Sequence, residues 1–276
     1  MGKLDLKEKT VVITGASGGI GGTAALVFAR RGAKLVLSGR NRDALGKVAD
    51  QVRATGAEAH VAPADVTNLA DMQSLVARAI EVTGGLHVMM LGAGFGLLGN
   101  IESVSLEMWH KEMDVNFWGV LHGFYAALPH FLKQGSGNFI IMNSLSGRIA
   151  MPLSAPYCAS KFALWGLADS IRAELAKKNI GLLSVYPNFV KTSFQANTQS
   201  PDFKIPPDLA WKMRGQTPEH VAELIVKYCE RRKGELVLTG VGIFGVKFMM
   251  LSYHLSEWFR RYLMMPITGR MMLPKK

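Results

Sequence analysis

The sequence predicts an α/β protein built as one domain around a doubly wound, parallel sheet of seven strands. Three observations carry this. Short β-branched runs alternate strictly with longer helical stretches. Nearly half of the 276 residues are hydrophobic and 29 are glycine, as tightly turning βα units with buried strands require. No Pro/Gly/Ser linker or internal repeat divides the chain, so a single domain is expected over 1–240, followed by a tail over 241–276.

Residues 10–14 (TVVIT) read as the first strand, and the helix after them runs through Arg31. Residues 34–38 (KLVLS) form the second strand, with a helix over 41–54. A third strand is expected over 58–62 with its helix at 68–82, and a fourth at 86–91. A long helix then follows Ser105, whose hydroxyl suits an N-cap. Residues 138–143 (NFIIMN) are the fifth strand, the helix bearing Tyr157 reaches about 178, and 181–186 is the sixth strand. Thr217-Pro218-Glu219 opens a further helix with a cap, a first-turn proline and an early acid. That helix ends near 233–234, and 235–239 completes the sheet. Strands of this order join by right-handed crossovers. The stretch 193–216 lacks periodicity, holds Pro201, Pro206 and Pro207, and reads as a lid.

Composition narrows the class. The two cysteines, Cys158 and Cys229, form no CxxC and no disulfide framework, which fits a reducing cytoplasm. The seven histidines show no metal-ligand spacing, and no metal site is expected. The first ten residues are charged, and the apolar run after them ends in a glycine-rich turn, unlike a signal peptide. A net charge of +11 calls for an anionic neighbour: a phosphorylated cofactor, an acidic lipid surface or nucleic acid. Nucleic acid ranks last, because no basic run carries interleaved aromatics.

The first strand runs into Thr14-Gly-Ala-Ser-Gly-Gly-Ile-Gly21. Lying between a first strand and a first helix, Gly15, Ser17, Gly19, Ile20 and Gly21 suit close backbone approach to a pyrophosphate at a helix N-terminus. At the end of the second strand stands Gly39-Arg40-Asn41-Arg42. No carboxylate is there to hold a ribose 2′-hydroxyl, and Arg40 beside Asn41 can take a 2′-phosphate, so NADP(H) is expected over NAD. Further along, Tyr157 and Lys161 lie four apart, one helical turn from each other, with Ser144 thirteen residues before the tyrosine. An ammonium beside a phenol lowers its pKa, and the expectation is a phenol brought toward neutrality that exchanges a proton at working pH.

Together these residues resemble the short-chain dehydrogenase/reductase family, from Lys9 to about Thr239. The motifs are the TGxxxGIG turn, Asp65-Val66 after the third strand, Asn116, Ser144, the YxxxK pair and a proline after the sixth strand. The resemblance implies a Rossmann fold with Asp65 and Val66 against an adenine ring, and with Ala93 and Gly94 passing the cofactor. Pro187, Val190 and Thr192 would flank the nicotinamide. It implies a tetrad of Asn116, Ser144, Tyr157 and Lys161: Tyr157 as general acid/base, Ser144 bonded to the substrate oxygen, Lys161 on the ribose and Asn116 holding a water. It also implies a homo-oligomer, dimer or tetramer, joined through the helices bearing Asn116 and Tyr157. Two positions depart from the family pattern. Leu91-Gly92-Ala93-Gly94 stands for Asn-Asn-Ala-Gly, and Pro187-Asn188 for Pro-Gly, where asparagine is expected to tolerate the left-handed turn.

Leu145, Met151, Leu153, Phe189 and Phe194 are expected to face the substrate, with Phe203 and Trp211 added by the lid. The set is apolar without a fixed cation, which favours a lipophilic aldehyde or ketone, or the matching alcohol. Reduction of a 3-oxoacyl group on an acyl carrier protein is the rival among enzymes, and a non-catalytic NADPH sensor or scaffold the rival outside them. In the tail, Phe244, Phe248, Leu251, Leu255, Phe259 and Tyr262 share one helical stripe, opposite Lys247, His254 and Arg261. Such a basic amphipathic helix suits peripheral membrane attachment, a subunit contact or a cover over the pocket.

Overall fold

All seven β-branched runs are strands in the computed structural model, which describes residues 2–206, 208–209 and 215–238. They are β1 (Thr10–Thr14), β2 (Lys34–Ser38), β3 (Ala59–Val61), β4 (Val88–Leu91), β5 (Gly137–Met142), β6 (Ile180–Pro187) and β7 (Glu235–Leu238). Every pairing is parallel, in the order β3-β2-β1-β4-β5-β6-β7. The chain winds outward from β1 to β3, then crosses back to lay β4 on the other side of β1. That reversal opens a crevice beyond the carboxyl ends of β1 and β4, where sheets of this kind take their ligands. Strands buried on both faces read as unbroken apolar runs, which is why the sequence places each of them to within two residues.

Around the sheet lie α1 (Gly19–Arg30), α2 (Arg42–Arg53), α3 (Leu69–Thr83), α4 (Leu106–Met113), α5 (Gly119–Gln134), α6 (Ala155–Lys177) and α7 (Pro218–Glu230). Side-chain caps start several of them. Asn41 Oδ1 accepts from Ala44 N at 3.0 Å, Ser105 Oγ from Met108 N at 3.3 Å, and Thr217 Oγ1 from His220 N at 3.3 Å. One face of the sheet packs Phe28, Leu45, Val52 and Ile225 from α1, α2 and α7. The other packs Met72, Phe124, Phe131 and Leu164 from α3, α5 and α6. There Phe139 of β5 meets Phe124 and Phe131 with ring centroids 4.6 and 4.9 Å apart.

The long helix after Ser105 is not continuous. A π turn over Asp114–Trp118 separates α4 from α5 and contains Asn116. Gly119, just past it, lies so close to Val66 that a Cβ would stand 2.7 Å from Val66 Cγ2. The lid region is strapped to the segment after β4: Leu98 N donates to Gln199 O at 2.9 Å, Gln199 N to Gly96 O at 2.8 Å, and Asn100 N to Asp202 Oδ2 at 2.6 Å. No helix among the described residues is long and apolar enough to cross a membrane. The amphipathic tail over 241–276 and the lid residue Trp211 lie outside the described residues.

Candidate active site

A cavity of about 430 Å³ opens at the switch point of the sheet. One wall is the turn after β1, contributing Gly15, Ser17, Gly19, Ile20 and Gly21. Gly15 has φ +71°, and a Cβ there would stand 2.8 Å from Gly92 C and from Ala93 N, which are backbone atoms that cannot give way. Thr14 Oγ1 draws the loop after β4 into place by accepting from Gly92 N at 3.0 Å and Ala93 N at 3.3 Å. Across the mouth, a Cβ on Gly19 would be 3.5 Å from Thr192 Cβ.

The opposite wall comes from the ends of β5 and α6. Ser144, Leu145, Met151, Tyr157 and Lys161 line it, together with Pro187, Phe189, Val190, Thr192 and Phe194. Lys161 is nearly fully buried, donates from Nζ to Met142 O at 3.0 Å and sits 5.6 Å from the centroid of the Tyr157 ring. Ser144 Oγ accepts from Ser146 N at 3.1 Å, which fixes its hydroxyl. Phe194 of the lid covers Tyr157, ring centroids 6.0 Å apart.

Electrostatics here differ from the sequence expectation. Burial dominates and pushes the Tyr157 phenol above its ordinary value; a hydrogen bond with Ser144 opposes this, and the charges of Glu112 and Cys158 add to it. Burial pulls the Lys161 ammonium down to about 8, with Glu112 acting the other way. The phenol is therefore not brought toward neutrality: desolvation raises it, although Tyr157 lines the cavity and is only part-buried.

Asn116 is fully buried behind the cavity rather than in its lining. Its Oδ1 accepts from Phe95 N at 3.0 Å, and its Nδ2 donates to Phe95 O at 2.9 Å and Glu112 Oε1 at 2.6 Å. The carboxamide thereby clamps the strip that contains Gly94, where a Cβ would come within 2.9 Å of Asn116 Oδ1.

Other predicted residues lie elsewhere. Leu153 does not line the cavity; at φ +61° it turns the chain, and Pro152 and Ser154 line it instead. Phe203 is not in the lining either. Asn188 lines the cavity with no positive φ, so the left-handed turn expected there is not used. Arg40, Asn41, Asp65, Val66 and Ala93 lie outside the lining. Arg40 is exposed beside Asp65, while Asn41 uses its side chain as the α2 cap. Asp65 accepts from Thr67 N at 2.9 Å, which with the Thr67 hydroxyl and Arg40 holds its carboxyl below the usual range despite partial burial. Val66 is buried, and its carbonyl bonds His122 Nδ1 at 2.9 Å. Among the residues that sequence reasoning missed, two bear on the site's chemistry. Gln195 lines the cavity with a buried Oε1 that has no partner among the described residues, and Glu112 lies fully buried against Asn116. Only the latter left a signal, its spacing of four residues from Asn116.

The architecture and this cavity define an α/β protein of Rossmann type with a ligand crevice at the switch point. Residues 9–202 match the short chain dehydrogenase family, and the chain belongs to that family of oxidoreductases. It is 34% identical over 224 residues to an uncharacterized oxidoreductase of Listeria monocytogenes, covering 80% of this chain and 90% of that one. Identity is 31% to dehydrogenase/reductase SDR family protein 7-like of Drosophila melanogaster, covering 86% and 74%. Among solved structures, a short chain dehydrogenase/reductase from Burkholderia phymatum in complex with NAD superposes with a TM-score of 0.83 at 26% identity, covering 91% and 96%. A short-chain type dehydrogenase/reductase from Mycobacterium marinum gives 0.77 at 28%, covering 86% and 96%.

Proposed function

We propose that the protein is an NADPH-dependent oxidoreductase that reduces the carbonyl of a lipophilic aldehyde or ketone, with Tyr157 as proton donor. The observation that carries this reading is the meeting of Ser144, Tyr157 and Lys161 on one wall of a cavity whose other wall is the glycine turn. The crevice fits a dinucleotide, since its wall at Gly18 and Gly19 is bare backbone, and a Cβ on Gly18 would meet only open space. Gly15, Ser17, Gly19, Ile20 and Gly21 would hold the pyrophosphate, and Gly94, Pro187, Val190 and Thr192 the nicotinamide end. When bound, the reduced cofactor supplies the hydride.

The chain's own residues manage the proton. A phenol held above its ordinary pKa stays protonated at neutral pH, so it is a donor to an oxygen gaining negative charge. In this reading Ser144 hydrogen-bonds the same oxygen and Lys161 holds the ribose. Asn116 supports the site by clamping Phe95. The test is NADPH oxidation across aldehydes, ketones, steroids, retinoids and 3-oxoacyl thioesters. NADPH binding without oxidation of any of them would remove the enzymatic reading.

Among the described residues, Lys161 is the sole charged side chain in a lining that includes Leu98, Leu145, Met151, Phe189 and Phe194, which supports an apolar substrate. Gln195 borders the cavity with an Oε1 that is shielded from solvent and has no partner among the described residues, and in this reading it turns to accept from the substrate. Gln195→Leu is expected to lower kcat/KM for ketones bearing a second hydroxyl by about tenfold, through one lost buried hydrogen bond. Plain alkyl ketones should be unaffected; equal loss for both kinds would assign Gln195 to lid packing.

An apolar stripe supports self-association. Trp118, Tyr125 and Leu132 recur every seven residues and are 47%, 59% and 43% exposed, with Leu106 on α4 at 78%. A second copy meeting this face would bury it. Trp118→Glu combined with Tyr125→Glu is expected to convert an oligomer to monomer in light scattering. An unchanged mass would place the interface elsewhere.

A further inference from the structure

The proton chemistry described above leaves one buried carboxyl of the site without a role. Glu112 stands one turn before Asn116 on α4 and is fully withdrawn from solvent. Its Oε1 accepts the 2.6 Å bond from Asn116 Nδ2, and Oε2 has no partner among the described residues. An acid is almost never fully buried unless paired, and an apolar side chain would fill the same space without the desolvation cost. What distinguishes the position is what it faces. Asn116 Nδ2, which Glu112 holds, also lies 3.4 Å from Ser160 Oγ on α6. Asn116 Oδ1 and Lys161 Nζ converge on Gly94, 2.9 and 3.8 Å from where its Cβ would stand.

We propose that Glu112 is a positioning residue of the reaction, fixing the Asn116 carboxamide and setting the charge balance of Lys161 and Tyr157. The proposal rests on the reading of Tyr157 as proton donor. The titratable groups facing it come from α6: Lys161 and Tyr157, with Cys158 beside the phenol. The strip 93–96 brings no titratable side chain, and Lys111 and Asp114, its near neighbours in sequence, are exposed.

The signs follow from these neighbours. Burial pushes the Glu112 carboxyl up to about 8, and the Lys161 charge draws it back. Once ionised, Glu112 raises both Lys161 and Tyr157 and holds their protons to higher pH. Removing its charge lowers both, so the alkaline fall in kcat should move to lower pH. The fold also keeps on Glu112 a proton that the unfolded chain releases above its ordinary value of 4.5. Glu112 therefore makes native stability decline as pH rises from about 4.5 to about 8.

The test compares wild type with Glu112→Gln, which keeps size and the acceptor for Asn116, and with Glu112→Asp, which keeps the charge. In Glu112→Gln the alkaline limb of the kcat profile should shift down by about half a pH unit or more. Glu112→Asp should move it back toward wild type, with NADPH affinity unchanged in both. The decline of the urea midpoint with pH should be shallower in Glu112→Gln than in wild type. Superimposable kcat profiles for wild type and Glu112→Gln would overturn the proposal. Should wild type turn over no carbonyl, the reductase reading fails by itself, and the urea titration decides this one: equal pH slopes overturn it.

Discussion

Tyr157→Phe is expected to lower kcat by about 100- to 10,000-fold, the usual contribution of a positioned general acid, and to leave NADPH affinity nearly intact. The substitution removes one hydroxyl and keeps the ring that meets Phe194 at 6.0 Å, so the cavity wall should stand. Two other lining groups carry protons near the ring, and each already has a backbone partner. Lys161 Nζ is turned to Met142 O, and Ser144 Oγ is held by Ser146 N. Single-turnover oxidation of NADPH, read beside a thermal melt, separates loss of chemistry from loss of fold. Turnover close to wild type in a well-folded variant would remove Tyr157 from the mechanism.

Arg40→Asp is expected to weaken NADPH binding by about 10- to 100-fold, since a hydrogen bond to a charged group contributes roughly 1.5–3 kcal/mol. The new carboxylate would also repel a 2′-phosphate and offer an acceptor to a ribose 2′-hydroxyl, so NADH affinity should rise. Placement supports the reading. A Cβ on Gly39 would come within 4.0 Å of Ser17 Oγ, which brings the end of β2 beside the glycine turn. Arg40 is exposed at that point, and Asn41 is committed to capping α2. Calorimetric titration of both cofactors into both proteins measures the change. Equal affinity of the wild type for NADPH and NADH, or no loss in the variant, would refute NADP selectivity.

Much of this was legible in the sequence, for physical reasons that can be named. A strand buried on both faces must be apolar throughout, so TVVIT and NFIIMN declare themselves. Caps are local chemistry, so Ser105 and Thr217 are readable from their neighbours. Helical spacing of four places Tyr157 and Lys161 on one face. Spacing does not report depth, however. Phe194, thirty-seven positions further along, packs near the ring, and burial that spacing cannot show reverses the expected direction of the phenol's pKa. Leu153 is apolar and close to the site in sequence, yet its backbone turn takes it out of the lining. The π turn at Asn116 is a matter of backbone register, which composition does not encode.

That turn has a consequence for how the segment can vary. Each residue of a helix advances the surface by about 100°, so one extra residue swings everything after it by a little over a quarter of a revolution. Glu112, before the turn, aims inward at Asn116, while Tyr125 and Leu132, after it, aim outward. Deleting a single position between 114 and 118 would bring one of the two groups to the wrong side even if every remaining side chain were kept. Through this stretch the length of the chain is guarded as closely as the carboxamide at Asn116.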